Sequence, residues 1–390
     1  MKKQCVSTMI AGLAALAIAG SASAQTITIR ITGSTAFRKP THIAIGNILN
    51  PGYTFGYAGS DVTKAGQAEF RGTTIVGSIP VDIKTSWSGS VGGMQTLVQN
   101  LNVATFLNST NLTTGGASGL TGPYDAATTA DIAMSDSFQG STAYTSPSLN
   151  DKVVGVIPFQ WVRNVGSPAA FSNVSTLLAQ ILLGTGQIPL SQATGLNADE
   201  ATLLTVIGRD EDSGTRLVAF AESGFGIFNP PFQNQVQGTL GAAGSVTGVA
   251  PWPINTVNGT TYPVGHSGYN SGGTVASALG TPGSLAGAGT WLVSYPGISD
   301  AATAVGLGAA TLTYNGVAYS STAVQEGQYT FWAYEHLMYR SSFAGSGKTV
   351  ADQLATRIHD VDASQGGVLL STMQVGRTVE GGAVTFGNPY

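Results

Sequence analysis

Five loops of this sequence combine glycine or charged residues with hydroxyl side chains in a way that could hold an anion. They are residues 33–35, 88–90, 135–137, 209–215 and 269–274. Glycine lets the backbone approach a ligand closely, while serine and threonine add hydroxyl donors. Most of these loops precede a predicted helix, whose first amides are unpaired and carry about half a positive charge. Several such loops together would hold a tetrahedral oxyanion with little formal charge.

Any one of these loops also has a simpler interpretation. Serine and threonine commonly cap helices without binding a ligand, and Asp136 can be explained in the same way. The anion hypothesis therefore depends on the number of loops, together with the charged residues Asp136 and Arg209 that stand in two of them.

A short apolar strand precedes each loop, and predicted strands and helices alternate along the chain. After the second loop, Met94, Leu97, Val98 and Leu101 follow the i, i+3, i+4, i+7 spacing of a helix. Residues 350–358 predict a further helix near the C-terminus. This alternation predicts an α/β fold with largely parallel sheets. Such folds bind ligands at the carboxyl ends of their strands, where the five loops lie.

Other chemistries have weaker support. Residues 344–349 are similar to a nucleotide-binding loop, but Ser342 stands where that motif needs glycine. The acidic run 210–212 could bind a divalent cation, although Arg209 and Arg216 would compete for its carboxylates. The four histidines are scattered, and no Gly-x-Ser-x-Gly elbow occurs. We therefore predict no metal and no cofactor, and a binding protein in preference to an enzyme.

The first 24 residues have the features of a secretory signal peptide. Lys2 and Lys3 precede an apolar run, and the small residues 22–24 end the segment. The one cysteine, Cys5, lies within it, which predicts no disulfide and no lipid anchor. Removing Lys2 and Lys3 from the 16 basic residues leaves 14 against 20 acidic ones, a net charge of −6. We expect a periplasmic or secreted protein with no direct membrane insertion and no nucleic-acid partner.

Four segments resemble the periplasmic phosphate-binding proteins that serve ABC transporters. Residues 31–36, 88–93 and 132–136 are similar to the family's first loop, its second loop and its strand ending in Ser-Asp. Residues 208–216 resemble its Arg-x-Asp/Glu-x-Ser-Gly-Thr signature, which is the most specific match. The resemblance extends over most of the chain after residue 24.

The resemblance implies a set of ligand-binding residues. These are Ser34, Thr35, Ala36, Ser90, Asp136, Arg209, Glu211, Ser213, Gly214 and Thr215. Arg209 would supply the direct positive charge, Glu211 would hold its guanidinium, and most of the others would donate hydrogen bonds to ligand oxygens. Asp136 would accept the proton that hydrogen phosphate carries and sulfate lacks, so this carboxylate would select phosphate.

The resemblance also implies the architecture and the partners. It predicts a two-lobed type II periplasmic-binding-protein fold, each lobe a mostly parallel sheet flanked by helices, with two crossover strands as the hinge. The first lobe would comprise residues 25–157 and 300–390, the second 158–299, with crossings at 153–157 and 291–295. A monomer would capture inorganic phosphate in the interlobe cleft for uptake by a membrane ABC permease. The alternative is another oxyanion, such as sulfate or molybdate, a phosphorylated organic molecule, or a surface-displayed or scavenging protein with the same fold.

Overall fold

A computed structural model of the protein describes residues 25–103, 105–241, 243–281 and 289–390. The predicted signal peptide, residues 1–24, lies outside the described residues. Among the helices in these four ranges, none has both the length and the apolar character that crossing a membrane requires.

The described strands and helices alternate along much of the chain. The strands are β1 (Ile27–Gly33), β2 (Thr54–Tyr57), β3 (Gln67–Thr73), β4 (Pro80–Ser86), β5 (Asn102–Val103), β6 (Thr128–Thr129), β7 (Ile132–Ser135), β8 (Asn150–Pro158), β9 (Val162–Arg163), β10 (Asn173–Val174), β11 (Gln187–Pro189), β12 (Leu203–Val206), β13 (Asn234–Thr239), β14 (Ser245–Pro251), β15 (Asn255–Val257), β16 (Thr260–Tyr262), β17 (Thr290–Ser294), β18 (Ala310–Thr311), β19 (Thr313–Tyr314), β20 (Trp332–Tyr339), β21 (Val375–Gly376) and β22 (Thr385–Phe386). The helices are α1 (Arg38–Ile48), α2 (Ser90–Gln99), α3 (Thr176–Thr185), α4 (Ser191–Thr194), α5 (Gly214–Glu222), α6 (Gly272–Leu279), α7 (Ile298–Gly306), α8 (Ser321–Gln325) and α9 (Gly345–Asp360).

Two mixed sheets organise these elements. The larger has the strand order β2-β3-β4-β1-β7-β20-β8, and the smaller has the order β11-β12-β17-β9-β18. In the larger sheet β1 is parallel to β4 and β7, and in the smaller sheet β12 is parallel to β17. The other neighbours in both sheets are antiparallel. The α/β architecture is confirmed, but parallel pairing is confined to the sheet centres, because apolar periodicity does not encode strand direction.

The chain passes between the two sheets at different places from those expected. It leaves the larger sheet after β8, which contains residues 153–157, and β9 already pairs within the smaller sheet. The expected second crossing at 291–295 is wrong, since these residues belong almost entirely to β17 in the smaller sheet. β18 pairs with β9 as well, so the chain still lies with the smaller sheet after residue 300. It returns to the larger sheet at β20.

Packing of helices on the larger sheet fixes the position of the loops. The apolar spacing predicted for α2 places Met94 and Leu97 in a buried cluster with Ala133 of β7 and Met338 of β20. The predicted C-terminal helix is confirmed as α9, with Val350, Leu354 and Ile358 buried. Burial of such side chains stabilises the fold by roughly 1.5–3 kcal/mol each. The N-terminus of α2 is thereby held above the carboxyl end of β7.

Candidate functional site

The loops after β1, β4 and β7 lie side by side because these strands are parallel neighbours. The Ser34 amide donates to the Met134 carbonyl at 2.8 Å, and the Gly89 amide donates to the Gly33 carbonyl at 2.8 Å. Gly33 has a φ of 109°, and a Cβ atom there would overlap the Met134 carbonyl. The first three predicted loops therefore form one continuous rim at the carboxyl edge of the larger sheet.

Asp136 is buried within this rim, with 1% of its surface exposed. Its Oδ1 accepts a hydrogen bond from the Ser90 hydroxyl at 2.6 Å, and its amide donates to the Ser90 Oγ at 3.2 Å. Its Oδ2 accepts from the Thr215 hydroxyl at 3.3 Å. Thr215 belongs to α5, which follows β12 of the smaller sheet. One carboxyl group thus contacts loops from both sheets.

Arg209 is also buried and is held mainly by main-chain carbonyls. Its Nε donates to the Tyr269 carbonyl at 2.9 Å, and its Nη2 donates to the Asn270 carbonyl at 3.0 Å. The Nη1 donates to the Thr35 Oγ1 at 3.0 Å, across the gap between the two sheets. These three hydrogen bonds hold the guanidinium in one orientation, facing the rim.

Asp136 and Arg209 act on each other electrostatically. Burial raises the pKa of Asp136 above its ordinary value, while the Ser90 hydroxyl and the Arg209 guanidinium partly offset the rise. The two residues that the sequence singled out therefore occupy the same part of the interior, although 73 positions separate them along the chain. Asp136 thus lies within electrostatic reach of the fixed Arg209 cation, although the two side chains form no direct ion pair.

A main-chain carbonyl from the smaller sheet's side occupies the N-terminus of α2. The Val91 and Gly92 amides donate to the Asp212 carbonyl at 2.9 and 3.1 Å. Gly89 has a φ of 101°, and a Cβ atom at this residue would overlap the same carbonyl. Two amides of a loop predicted to bind an anion are therefore paired with protein, and the Ser90 hydroxyl donates to Asp136.

The expected pair of Glu211 with Arg209 is wrong. Glu211 Oε1 accepts from the Asn255 side chain at 3.0 Å, and its Oε2 accepts from the Ser267 hydroxyl at 2.7 Å. Because Asn255 lies on β15, it brings a competing donor that the local sequence around Arg209 does not reveal. The nearest carboxylate oxygen to the guanidinium is on Asp210, at 3.9 Å.

Of the remaining predicted residues, one caps a helix and the others have main-chain amides without a hydrogen-bond partner within the described ranges. The Ser213 Oγ accepts from the Arg216 amide at 3.3 Å and so caps α5. The Gly214 and Thr215 amides are the first two of that helix and have no intrahelical partner. The Thr35 and Ala36 amides make no hydrogen bond to another described residue. These amides are the donors that the arrangement leaves for a ligand.

A cavity of about 730 Å³ adjoins the contact between Arg209 and Thr35. Its lining combines polar side chains from both sheets' loops: Thr35, Arg38, Ser88, Asp210, Ser271 and Thr274. Ser271 is the N-cap of α6, because its hydroxyl oxygen accepts from the Thr274 amide at 3.1 Å. The first, second, fourth and fifth predicted loops therefore meet at one polar cavity between the sheets.

Two buried side chains near the site carried no motif. The Gln233 Nε2 donates to the carbonyls of Arg209 and Ser267, each at 2.8 Å, and thus fixes the loop that carries the guanidinium. Glu335 lies inside the larger sheet beside Asp136. A carboxyl group within β20, whose other residues apart from His336 are apolar or aromatic, is the signal that could have marked Glu335. For Gln233 the sequence offers no comparable signal.

No group of three metal-ligating side chains occurs among the described residues.

The two sheets, their flanking helices and a site at the strand ends define the fold of type II periplasmic binding proteins. A Clostridium perfringens protein assigned as substrate-binding protein of a phosphate ABC transporter, solved with bound phosphate, is similar in structure, with a TM-score of 0.50 and 12% identity. The match covers 88% of this chain and 99% of that one.

Other solved structures resemble the chain more weakly. An ABC-type phosphate transport receptor from Vibrio cholerae has a TM-score of 0.45 and 12% identity, covering 87% of this chain and 99% of its own. The reduced regulatory domain of OxyR2 from Vibrio vulnificus has a TM-score of 0.37 and 9% identity, covering 87% and 98%. No protein-family model and no curated protein matches the sequence. At these identities the likeness establishes the fold alone.

Proposed function

We propose that this chain is a secreted solute-binding protein that captures inorganic phosphate between two lobes for uptake by a membrane ABC permease. The observation that carries the proposal is the buried Asp136 carboxyl, fixed by Ser90 and Thr215 in the electrostatic reach of Arg209. A carboxylate beside a cation suits an anion that still carries a proton. Hydrogen phosphate would donate to Asp136, whereas sulfate would leave the carboxylate unpaired, a mismatch that can discriminate by about 10⁴–10⁵.

In this proposal the two sheets are the cores of the two lobes. The first lobe contains residues 25–157 and the segment from β20 onward, and the second lobe lies between them. The passages after β8 and before β20 serve as the hinge. The ligand enters when the loops separate, and closure brings Arg209 to Thr35 and Thr215 to Asp136. The open amides of Thr35, Ala36, Gly214 and Thr215 then donate to ligand oxygens.

Thermal unfolding of the chain from residue 25 with increasing phosphate, sulfate or molybdate tests this function. A ligand that binds the folded state raises the melting temperature by mass action, in proportion to the logarithm of its concentration. We expect a rise with phosphate and a much smaller one with sulfate. If no anion raises the melting temperature of a folded sample, the proposal is wrong.

The same titration separates the alternative ligands. A larger rise with sulfate or molybdate would assign the site to that oxyanion, and a rise only with a phosphorylated organic molecule would assign it to such compounds. A surface-displayed or scavenging role would be indicated if phosphate binds but reconstituted transport with a permease fails. We propose a binding role and no catalytic one, in keeping with the fold that this chain shares with a phosphate-transport substrate-binding protein.

A further inference from the structure

Glu335 is completely buried and faces Asp136 across two neighbouring strands. In the antiparallel pairing of β20 with β7, His336 is opposite Ser135 and Leu337 is opposite Met134. The same register, continued by one residue beyond β7, places Glu335 opposite Asp136. Side chains at directly opposite positions of an antiparallel pair lie on one face, with Cβ atoms about 4.5–5.5 Å apart. The register therefore brings the two carboxyl groups to neighbouring positions on one face of the sheet, within electrostatic reach of each other.

Among the described residues, no cation compensates the carboxyl of Glu335. Neither of its oxygens makes a hydrogen bond of normal geometry with a described residue. The Ser34 hydroxyl stands beside it, is itself buried, and makes no hydrogen bond of normal geometry either. Gly155, opposite Glu335 on β8, has no side chain, and the adjacent His336 is turned to Asp151 at 2.8 Å. The charged group that faces Glu335 is Asp136.

Burial and the neighbouring Asp136 raise the pKa of Glu335 well above its ordinary value, and the Ser34 hydroxyl only partly offsets the rise. Two adjacent carboxyl groups in a low-dielectric interior do not both ionise. Arg209 lowers the pKa of Asp136, whereas the pKa of Glu335 is lowered only by the Ser34 hydroxyl. Of the two carboxyl groups, Glu335 is therefore the one whose surroundings favour the protonated form more strongly.

We propose that Glu335 is a positioning residue that keeps a proton behind Asp136 and so holds the anion site free of excess negative charge. With that proton present, Glu335 adds no negative charge to the surroundings of Asp136 and Arg209. Loss of the proton adds a second buried carboxylate and repels any entering anion. Glu335 in this way sets the upper pH limit of anion capture. The effect on binding rests on the proposed function, while the protonation of Glu335 does not.

Infrared difference spectroscopy of the wild type against Glu335→Gln measures the proton without any ligand. We expect the carbonyl stretch of a neutral carboxylic acid in the wild type at neutral pH and its loss at higher pH. Ser34→Ala removes the hydroxyl that favours the ionised form, so it should move this loss to still higher pH. If the wild type shows no such band at neutral pH, the proposal is wrong. If Glu335→Gln fails to fold, the difference between the wild type and Ser34→Ala supplies a second comparison.

Calorimetric titration with inorganic phosphate from pH 6 to 9 tests the link to binding. Ionisation of phosphate itself cancels in the ratio of wild-type to Glu335→Gln dissociation constants. That ratio should grow as the infrared band is lost, approaching tenfold per pH unit. Glu69→Gln replaces another fully buried carboxyl, one paired with Arg71, and should give no such pH-dependent ratio. A constant ratio while the band disappears would refute the charge role.

Failure of the proposed function can be distinguished from failure of the proposal for Glu335. If the wild type binds no phosphate, the proposed function is wrong, but denaturant titrations still report on Glu335. Above pH 4.5, the ratio of wild-type to Glu335→Gln unfolding constants should rise tenfold per pH unit until Glu335 ionises in the folded state. A ratio independent of pH would show that the folded protein holds no extra proton there.

Discussion

Gly214 lies directly against Asp136. A Cβ atom at residue 214 would overlap Asp136 Oδ1 and come within 2.7 Å of the Ser90 side chain. Gly214 is the first residue of α5, so helix geometry alone would accept alanine here. The requirement for glycine comes from the carboxyl group on the opposite loop, and it makes this position a sensitive test of the site.

Gly214→Ala should weaken phosphate binding at least tenfold, about 1.4 kcal/mol, because the loops can no longer meet around Asp136. Calorimetric titration measures this change. Gly306→Ala, in α7, is the matched control, since a Cβ atom there meets nothing within 4 Å. Equal affinities in the two variants would contradict the placement of Gly214 in the site.

Asp136→Asn should relax the rejection of sulfate. The amide retains the size of the carboxyl but can donate a hydrogen bond, so it can pair with an anion that carries no proton. We expect the preference for phosphate over sulfate to fall by several orders of magnitude, up to about 10⁴-fold. Competition between the two anions in wild type and variant measures the preference, and an unchanged preference would remove Asp136 from its proposed role.

Arg209→Ala should weaken binding of every anion by about 2–5 kcal/mol, since a buried cation is lost from the site. Arg209→Lys retains the charge but cannot reach the Tyr269 carbonyl, the Asn270 carbonyl and Thr35 together. Its affinity should lie between those of the wild type and the alanine variant. If the lysine variant binds as the wild type does, the planar fork has no part in recognition.

His42 gives a pH dependence of stability that is separate from anion binding. Burial lowers its pKa from 6.5 to about 4, while Trp87 donates to its Nε2 at 3.1 Å and its Nδ1 donates to the Val62 carbonyl. Because the pKa is lower in the folded protein, the unfolded chain binds the proton more readily between pH 4 and 6.5. Stability should therefore fall as pH falls through this range, by roughly 3 kcal/mol from this residue.

Denaturant titrations of the wild type and His42→Gln between pH 4 and 7 measure this dependence. The variant should be less stable than the wild type near pH 7 but should lose less stability on acidification. Parallel curves for the two proteins would mean that the imidazole titrates in the folded state much as it does in the unfolded chain.

The sequence allowed much of the fold to be predicted, since periodic apolar residues marked α2 and α9 and the loop pattern marked the strand ends. Strand direction and the second crossing were not accessible in this way. Residues 291–295 read as an extended apolar run, and such a run fits a crossing strand and a central sheet strand equally well. The pairing of β17 with β12 that decides between them joins residues almost 90 positions apart.

For the candidate site, local motifs located the polar side chains but not all of their partners. Asp136 and Arg209 come within electrostatic reach of each other, because both follow strands whose carboxyl ends face the gap. Glu211 binds Asn255 instead of Arg209, and Glu335 escaped notice because its neighbour Asp136 is 199 positions away. Contacts supplied by distant strands thus account for the part that sequence reasoning missed.

The hydrogen bonds from Val91 and Gly92 to residue 212 use a peptide oxygen, which any amino acid at that position would supply. These hydrogen bonds therefore do not depend on the side chain of Asp212. They depend on the absence of a side chain at Gly89, which lets the carbonyl approach. A methyl group on Gly89 would overlap the Asp212 carbonyl and so keep the N-terminus of α2 and residue 212 apart. If the lobes close by the proposed hinge motion, Gly89→Ala would therefore favour the open form without altering any group that would touch the ligand.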